Sequence, residues 1–476
     1  MNATLLRRLS LCVMACWALA TWLPSPATAQ EGGSLDDLFS GEIVDVKASE
    51  ATGSPAAAPW ATFLKSEAVR IGGSISSSVS ATVTWNNPWN GAASLWSSDS
   101  NTLKPSLSGL LYFDARPDDS FRVYGSCKTR WPFRSTVAGV PDPTLPVSVP
   151  TIQIFELFSD FQQGDRLSFR FGKATVKWGV GYFFSPADII NLEPINLFDP
   201  EAQREGPVQF RLTMPFGPSM SMLSAYALFD ERNPDWATTA LAAKIELVSG
   251  KYEVGLSGYY RQDTAERAAL TLAGPLGDFD VFGEAVISRG SPKTFSSFSA
   301  IPPYVQVSKP ADHRTTLYPS ATMGLLYNNQ SSSFTTIVQY FFNGEGYTNA
   351  ERDAAYAIVQ PMLANPSTPE QERAALQMAA KAFALGSGRH YGALSMTKSG
   401  IFGIERDVDL SFLGVWNLSD SSGLVRPSVT WKLADRISLG AALLFVFGEE
   451  KSEYAVLSGG NPASLTLTLT AGSGRF

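Results

Sequence analysis

The sequence contains few cysteines and histidines, and beyond its N-terminus it has no long apolar run. Two of its three cysteines, Cys12 and Cys16, lie in the apolar N-terminal stretch. Cys127 alone remains in the rest of the chain, which excludes an intrachain disulfide there. After residue 29 no run approaches 18 consecutive apolar residues, which excludes transmembrane helices from that part.

Signatures of catalysis are also missing. The sequence has no G-x-S-x-G, H-E-x-x-H, phosphate-binding loop or CxxC motif. Its two histidines, His313 and His390, stand far apart, so neither a zinc site nor a cofactor is expected. A histidine-dependent hydrolase would require one of them to meet its partners only in space. We therefore expect no enzyme.

The N-terminus has the three parts of a secretory signal peptide. Arg7 and Arg8 precede an apolar run, and Ala27 and Ala29 provide an A-x-A site, so residues 1–29 are predicted to be cleaved off before Gln30. A membrane anchor and a lipid attachment at Cys16 are the weaker alternatives. Cleavage would leave 35 basic and 44 acidic residues, a net charge of −9 that disfavours nucleic-acid binding. Residues 30–66, rich in Ala, Ser, Pro and Asp, are expected to form a periplasmic N-terminal segment.

What is present in quantity is aromatic residues. Aromatic side chains make up 12% of the sequence, with 11 Trp and 29 Phe, whereas charged residues make up only 17%. Soluble domains usually contain roughly 25% charged residues. An exported, aromatic-rich chain without transmembrane helices is typical of a transmembrane β-barrel, in which lipid-facing and lumen-facing residues alternate.

Residues 69–85 alternate strictly between apolar and polar positions. Val69, Ile71, Ile75 and Val79 fall on one face, and serines and threonines fall on the other. Seventeen alternating residues suffice to cross a bilayer, which takes about 9–11 residues in a β-strand. Similar segments cover 103–115, 120–132, 150–162, 166–173, 207–215, 219–229, 237–248, 252–262, 266–274, 278–288, 315–328, 332–343, 389–398, 407–416, 424–433, 436–447 and 462–471. We predict an all-β fold, a closed antiparallel transmembrane barrel of about 16–18 strands over residues 67–476.

The connections between these segments alternate between short turns and long loops, the pattern of bacterial outer-membrane barrels with short periplasmic turns. The long connections are 86–102, 133–149, 174–206, 289–314, 344–388 and 448–461. Within one of them, residues 348–386 read as two helices, with capping boxes at Thr348 and Thr368. We expect a helical hairpin that caps this long extracellular loop, and the alternative is a lid or a partner-binding element.

The last strand is predicted to close the barrel against the first. Leu465, Leu467 and Leu469 are out of phase with the terminal Phe476, and a bulge near Gly472 would restore the phase. The lumen side of this seam would be lined by hydroxyl groups from Thr466, Thr468 and Thr470 and from Ser76, Ser78, Ser80 and Thr82.

Several basic residues share the inward parity of the predicted strands. They are Arg122, Lys128, Arg130, Arg170, Arg211, Arg261, Arg426 and Lys432. Inward cations favour the passage of anions. The alternative is that they pair with inward carboxylates and leave no selectivity.

The run from Arg170 to Asp188 resembles a segment of large outer-membrane barrels of the alginate-export type and related porin-like families. The matching pattern is R-x-G-K-x-x-x-x-W-G-x-G-x-x-F-x-P-x-D, and the runs YFFNGEGY (340–347) and WNLSDSSG (416–423) are similar to spirochaetal members. The resemblance implies an outer-membrane channel or exporter of 16–18 strands, and it implies no particular substrate.

Residues 174–206 are expected to fold into the lumen as a constriction, because their prolines and glycines would break a strand. Residues expected to shape and charge it are Lys173, Lys177, Trp178, Asp188, Asn191, Arg204 and Glu205. The expected function is a passive channel for small hydrophilic or anionic solutes, with outer-membrane lipid and the barrel-assembly machinery as partners. A polymer exporter and a surface adhesin are the alternatives.

Overall fold

The structure is a computed structural model that describes most of the chain from residue 69 onward. The described residues are 69–85, 100–130, 152–164, 166–191, 195–217, 220–230, 235–291, 295–298, 305–308, 316–365, 367–369, 371, 386–401, 407–449, 451–457 and 462–475. The expected signal peptide, the N-terminal segment 30–66, His313 and Phe476 lie outside them. Among the described helices, none is long and apolar enough to cross a membrane.

Twenty strands, two α-helices and two short 3₁₀ helices are described. The strands are β1 Val69–Trp85, β2 Ser100–Asp118, β3 Phe121–Arg130, β4 Ile152–Gln163, β5 Leu167–Lys173, β6 Val208–Phe216, β7 Ser221–Phe229, β8 Ala240–Ser249, β9 Tyr252–Arg261, β10 Glu266–Leu276, β11 Phe279–Arg289, β12 Phe295–Phe298, β13 Val305–Ser308, β14 Leu317–Asn329, β15 Phe334–Phe342, β16 His390–Lys398, β17 Val408–Asn417, β18 Ser422–Ala434, β19 Ile437–Phe447 and β20 Ala463–Arg475. The helices are α1 Asn349–Ala364 and α2 Glu453–Leu457, and the 3₁₀ helices are Trp236–Thr238 and Gln330–Ser332.

Eighteen of these strands form one closed antiparallel barrel. Each pairs with its neighbour in the chain, and β1 closes the wall by pairing with β20. Every strand predicted from the alternation has its counterpart, so the predicted barrel is confirmed. The remaining two strands, β12 and β13, form a small separate hairpin in the connection after β11, which the alternation did not reveal.

The closing seam has the predicted hydroxyl lining. Ser80 and Thr468 lie 2.9 Å apart through their hydroxyl oxygens, and Thr82 and Thr466 lie 3.0 Å apart. The pairing shifts register between Ile75 and Ser77, opposite Gly472. Gly472 has φ +73°, a left-handed conformation that suits glycine. The predicted bulge is therefore confirmed.

The outer surface of the barrel is apolar. Leu241, Ile245 and Leu247 on β8 and Leu270 and Leu272 on β10 are exposed at alternate positions, and other strands repeat this arrangement. At the end of the short turns, outward-facing aromatic residues form a belt. Its members are Phe121, Phe161, Phe169, Phe216, Tyr252, Phe279, Tyr327, Phe334 and Trp431. Such a surface suits lipid on its sides and a lipid–water interface at the belt.

The opposite end, which carries the long loops, holds both α-helices. α1 begins at the predicted capping box, in which Thr348 and Glu351 bind each other's backbone N–H groups. At the second predicted box, the backbone N–H of Gln371 donates to the Thr368 hydroxyl at 3.1 Å. The rest of the second predicted helix, residues 372–385, lies outside the described residues.

A buried polar cluster joins the loops at this end, and Glu453 of α2 is its centre. Its carboxylate accepts hydrogen bonds from Tyr391 at 2.7 Å, Asn417 at 2.8 Å and Arg352 of α1 at 3.1 Å. Arg352 also pairs with Asp420 in the connection between β17 and β18. Burial raises the pKa of Glu453, although the hydrogen bond from Tyr391 and the charge of Arg352 oppose the shift in part. Two carboxylates thus share one guanidinium.

Candidate pore constriction and inner wall

The segment that stops alternating, residues 174–207, connects β5 to β6 and is called the inner segment below; residues 192–194 of it lie outside the description. It leaves the barrel wall between β4 and β6, and side chains of these two strands bind its first residues. The buried Gln209 side chain of β6 donates to the Ala174 carbonyl at 3.0 Å, and Glu156 of β4 accepts from the Thr175 N–H at 3.1 Å. These contacts direct the chain away from the sheet ladder.

Glu284 of β11 binds the middle of the inner segment. Its side chain is only 4% exposed. Oε1 accepts from the N–H groups of Val180 at 2.6 Å and Gly181 at 2.7 Å and from the Ser185 hydroxyl at 2.8 Å. Oε2 accepts from the Ala187 N–H at 2.8 Å. All four partners are donors, so this geometry calls for an ionised carboxylate.

Gln339 of β15 binds the neighbouring part of the inner segment. Its amide oxygen accepts from the Phe183 N–H at 2.7 Å, and its amide nitrogen donates to the Phe184 carbonyl at 2.6 Å. The same nitrogen donates to Thr322 of β14 at 2.6 Å, which fixes the orientation of the amide. β15 stands eight strands from β5 around an eighteen-strand wall. The inner segment therefore reaches almost the opposite side.

These contacts lie well inside the barrel. Glu284 is five residues from the end of β11 at Arg289, which corresponds to roughly 17 Å along a strand. Two glycines permit the close approach of the backbone. A Cβ atom at Gly179 would collide with Glu284 and Ser185, and one at Gly181 would collide with the Phe184 carbonyl. The W-G-x-G spacing thus brings the N–H groups of Val180 and Gly181 onto one carboxylate.

Apolar contacts seat the inner segment on two parts of the wall. Trp178 is 1% exposed and packs edge-to-face on Tyr226 of β7, with ring centroids 5.1 Å apart. Phe183 belongs to a cluster with side chains of β11, β14 and β15–β18, and with Tyr454 of α2. Trp178, expected to shape the pore, therefore lies against the wall and fixes the position of the inner segment.

At the base of the inner segment, five of the predicted residues come together, three in one group and two in an ion pair. Asp188 pairs with Arg204 and accepts from the Asn191 amide at 2.8 Å, and Asn191 also donates to the Val176 carbonyl at 2.6 Å. Lys173 pairs with Glu205. These charges neutralise one another, so they act first as cross-links within the inner segment and to β5.

The inner face of β2–β5 carries a second charged group, called the ion-pair row below. Arg122 binds Asp114 through two hydrogen bonds of 2.7 and 3.1 Å. Arg170 binds Asp160 through two of 2.6 and 2.8 Å. Asp160 lies directly opposite both arginines in the strand register. For Arg122 and Arg170, the alternative of pairing between inward charges is the one observed.

The other predicted cations differ in their surroundings. Arg211 lies directly opposite Arg170 on β6, and within the described residues it forms no ion pair. The Arg426 guanidinium lies 5.6 Å from the centre of the Phe198 ring, likewise without a carboxylate among the described groups. Lys128 lies over the Phe155 ring, Lys177 is exposed, and the side chain of Arg130 is outside the described part. Arg261 and Lys432 pair with Asp230 and Asp407.

Sequence reasoning missed Glu284 and Gln339, the two residues that bind the inner segment from the far wall. The alternation within β11 and β15 already predicts that both side chains face inward. A signal of their role was also present, because each is an acidic or amide side chain in the middle of a strand without a local partner. Their target could not be read, because the chain separation exceeds 95 residues.

The described residues contain no group of His, Cys, Asp and Glu that could hold a metal ion. His390 shares a 2.8 Å hydrogen bond with the Tyr340 hydroxyl at the end of β16. Cys127 is a free thiol on β3.

No family model matches the sequence, and no curated protein matches it. The fold resembles several solved structures. OccK8 (OprE) of Pseudomonas aeruginosa is 8% identical, with a TM-score of 0.48 over 86% of this chain and 99% of that one. OccK9 (OpdG) of the same organism is 9% identical, with a TM-score of 0.47 over 86% and 99%. OccAB1 of Acinetobacter baumannii is 11% identical, with a TM-score of 0.44 over 85% and 97%. These likenesses are in the fold.

Proposed function

We propose that the protein is an outer-membrane channel through which small hydrophilic solutes pass passively. The observation that carries this proposal is the closed eighteen-strand wall with opposite chemistry on its two faces. The outer face exposes leucine, isoleucine and phenylalanine above an aromatic belt, whereas the inner face carries hydroxyls, amides and hydrogen-bonded charges. A wall of this kind separates lipid from a wet interior.

The inner segment is proposed to narrow this interior. Its contacts with Glu284, Gln339 and the wall of β7–β11 and β14–β18 support this role. Solutes would then pass between the inner segment and the wall formed by β20 and β1–β5, which carries the hydroxyl seam and the ion-pair row. A passage of this type requires a lined pore and no chemistry.

A preference for anions is the finer part of the proposal. The carboxylates of the ion-pair row already bind Arg122 and Arg170, whereas Arg211 and Arg426 face inward without carboxylate partners among the described residues. A guanidinium remains charged at any physiological pH. These two side chains would lower the free energy of an anion inside the pore relative to that of a cation.

Planar bilayers test both parts. Purified protein should give stepwise ion conductance, and a KCl gradient should give a reversal potential of the sign expected for chloride passage. Protein that inserts but never conducts would contradict the channel, and this result would favour the adhesin alternative. Conductance with a reversal potential of the opposite sign would contradict the anion preference alone.

The export route is a separate proposal. Residues 1–29 would be removed and the mature protein would fold with the barrel-assembly machinery. Fractionation of a diderm host should place the protein in the outer membrane, with Gln30 as its first residue. Recovery of uncleaved protein in the inner membrane would contradict this route.

A further inference from the structure

Three aromatic rings, called the ring row below, stand side by side on the inner face of β2, β3 and β4. Tyr112 and Tyr124 are nearly parallel, with centroids 6.2 Å apart and planes inclined by 22°. Tyr124 and Phe158 have centroids 5.3 Å apart. Phe158 is buried beneath the Arg170 guanidinium, 3.9 Å from its ring centre, whereas both tyrosines remain partly exposed. The Arg122 guanidinium lies 5.3 Å from the centre of the Tyr124 ring. Beside this contact the tyrosines offer flat apolar surface inside a polar barrel.

The ion-pair row lies alongside the ring row. In the register of the strands, Asp114 lies opposite Tyr124, and Asp160 follows Phe158 by two residues on the same face. Asp114 also binds Arg116 of β2 through two hydrogen bonds of 2.9 and 3.4 Å, so two carboxylates here meet three guanidiniums and the group carries a net charge of +1. Arg116 and Arg122 fill the roughly four lone-pair sites of Asp114, whereas Asp160 accepts two hydrogen bonds and each guanidinium keeps N–H groups beyond those it uses. Free donors on the guanidiniums and free acceptor sites on Asp160 thus lie beside the exposed rings.

We propose that the ring row and the ion-pair row together form a subsite for the pyranose ring of a carbohydrate. This inference rests on the proposed channel function and specifies a solute class for it. A pyranose has an apolar C–H face and an edge of hydroxyl groups. The face packs on the Tyr112 and Tyr124 rings, as apolar groups pack on aromatic faces. Each hydroxyl both donates and accepts, so it finds partners along the ion-pair row.

Other small solutes match only part of this surface. A simple anion would meet the guanidiniums of this group, but it has no flat apolar face to pack on the rings. An acyclic polyol has the hydroxyl groups but lacks the flat C–H face. The subsite therefore discriminates by ring shape.

The experiment measures how the ion current through the wild-type channel falls with added maltotriose, with sorbitol as the acyclic probe. Maltotriose should halve the current at a much lower concentration than sorbitol does. In the Tyr124→Leu and Tyr112→Leu variants, the half-inhibiting concentration of maltotriose should rise by roughly fivefold, the effect of one stacking contact. Tyr260→Leu is the matched control, because Tyr260 is exposed on the outer face of β9.

The outcomes separate the two proposals. A channel that conducts KCl but responds equally to maltotriose and sorbitol would overturn the carbohydrate subsite and leave the channel intact. Unchanged half-inhibition in both tyrosine variants, with normal KCl conductance, would have the same meaning. An absence of KCl conductance in the wild type would instead overturn the proposed function. Conductance of each variant without sugar shows whether it has folded.

Discussion

Replacing Glu284 with glutamine should release the inner segment from the far wall while the barrel stays closed. The wild-type carboxylate accepts four hydrogen bonds from the inner segment, three to Oε1 and one to Oε2. Glutamine has nearly the same shape, but its amide nitrogen would face an N–H or O–H donor in either orientation. At least one donor would lose its partner, and the negative charge that all four share would disappear.

The size of the effect follows from these contacts. A hydrogen bond to a charged group contributes about 1.5 kcal/mol or more, so the four together contribute about 6 kcal/mol to holding the inner segment. Loss of half of this would raise the released population by roughly a hundredfold. The strand pairing of β11 involves backbone groups only and should persist.

Single-channel recording provides the assay. Glu284→Gln should show a higher mean conductance, or switching between two levels, and proteases should cleave it between residues 174 and 207. Glu266→Gln on the adjacent β10 is the matched control. Glu266 is exposed, and its ion pair with Arg289, 3.6 Å long, is a surface contact that contributes little to stability. Conductance and cleavage equal to wild type in Glu284→Gln would refute the reasoning.

Three further predictions concern other contacts. Gly179→Ala should also loosen the inner segment, because its Cβ atom would collide with Glu284. Gly258→Ala should leave conductance and protease resistance unchanged, because its Cβ atom would lie 3.9 Å from the Arg267 carbonyl oxygen, an ordinary contact. Arg211→Glu should shift the reversal potential toward cation passage, and Arg289→Glu, at the exposed end of β11, should shift it less; equal shifts would contradict a role for Arg211 in the lumen. The raised pKa of Glu453 means that the folded loops hold its proton to a higher pH than the unfolded chain does. This contribution is complete below the ordinary carboxyl pKa and is lost as the pH rises through the raised one, so proteolysis of residues 343–389 should increase with pH over that range in wild type but not in Glu453→Gln.

The barrel could be predicted from the sequence because each strand carries its own signal. In β1 and β19 the alternation of apolar and polar residues fixes which face meets lipid, whatever the rest of the chain does. The bulge at Gly472 was equally local, since it follows from a mismatch of phase within a few residues. The small hairpin of β12 and β13 was not predicted, because strands of four residues are too short to show an alternation of apolar and polar residues.

The position of the inner segment in the chain could be predicted from the sequence, but the residues that bind it could not. Loss of alternation, together with Pro186 and the glycines, marked where the chain leaves the wall. Its partners depend on which strands stand opposite β5, and that arrangement exists only once eighteen strands have closed. The same limit applies to Trp178, which the sequence predicts in the pore. The structure places it against Tyr226, because an apolar ring is stabilised more by packing there than by facing water.

The cluster around Glu453 also bears on the order of folding. It joins Arg352 from the loop after β15, Asp420 from the turn after β17 and Glu453 from the loop between β19 and β20. α2 belongs to the last hairpin of the chain, so the cluster forms only when that hairpin is in place. Contacts between distant parts of a chain form late because their loops must close first. Substitutions at Arg352 should therefore speed unfolding of the loop end and leave the rate of barrel closure almost unchanged.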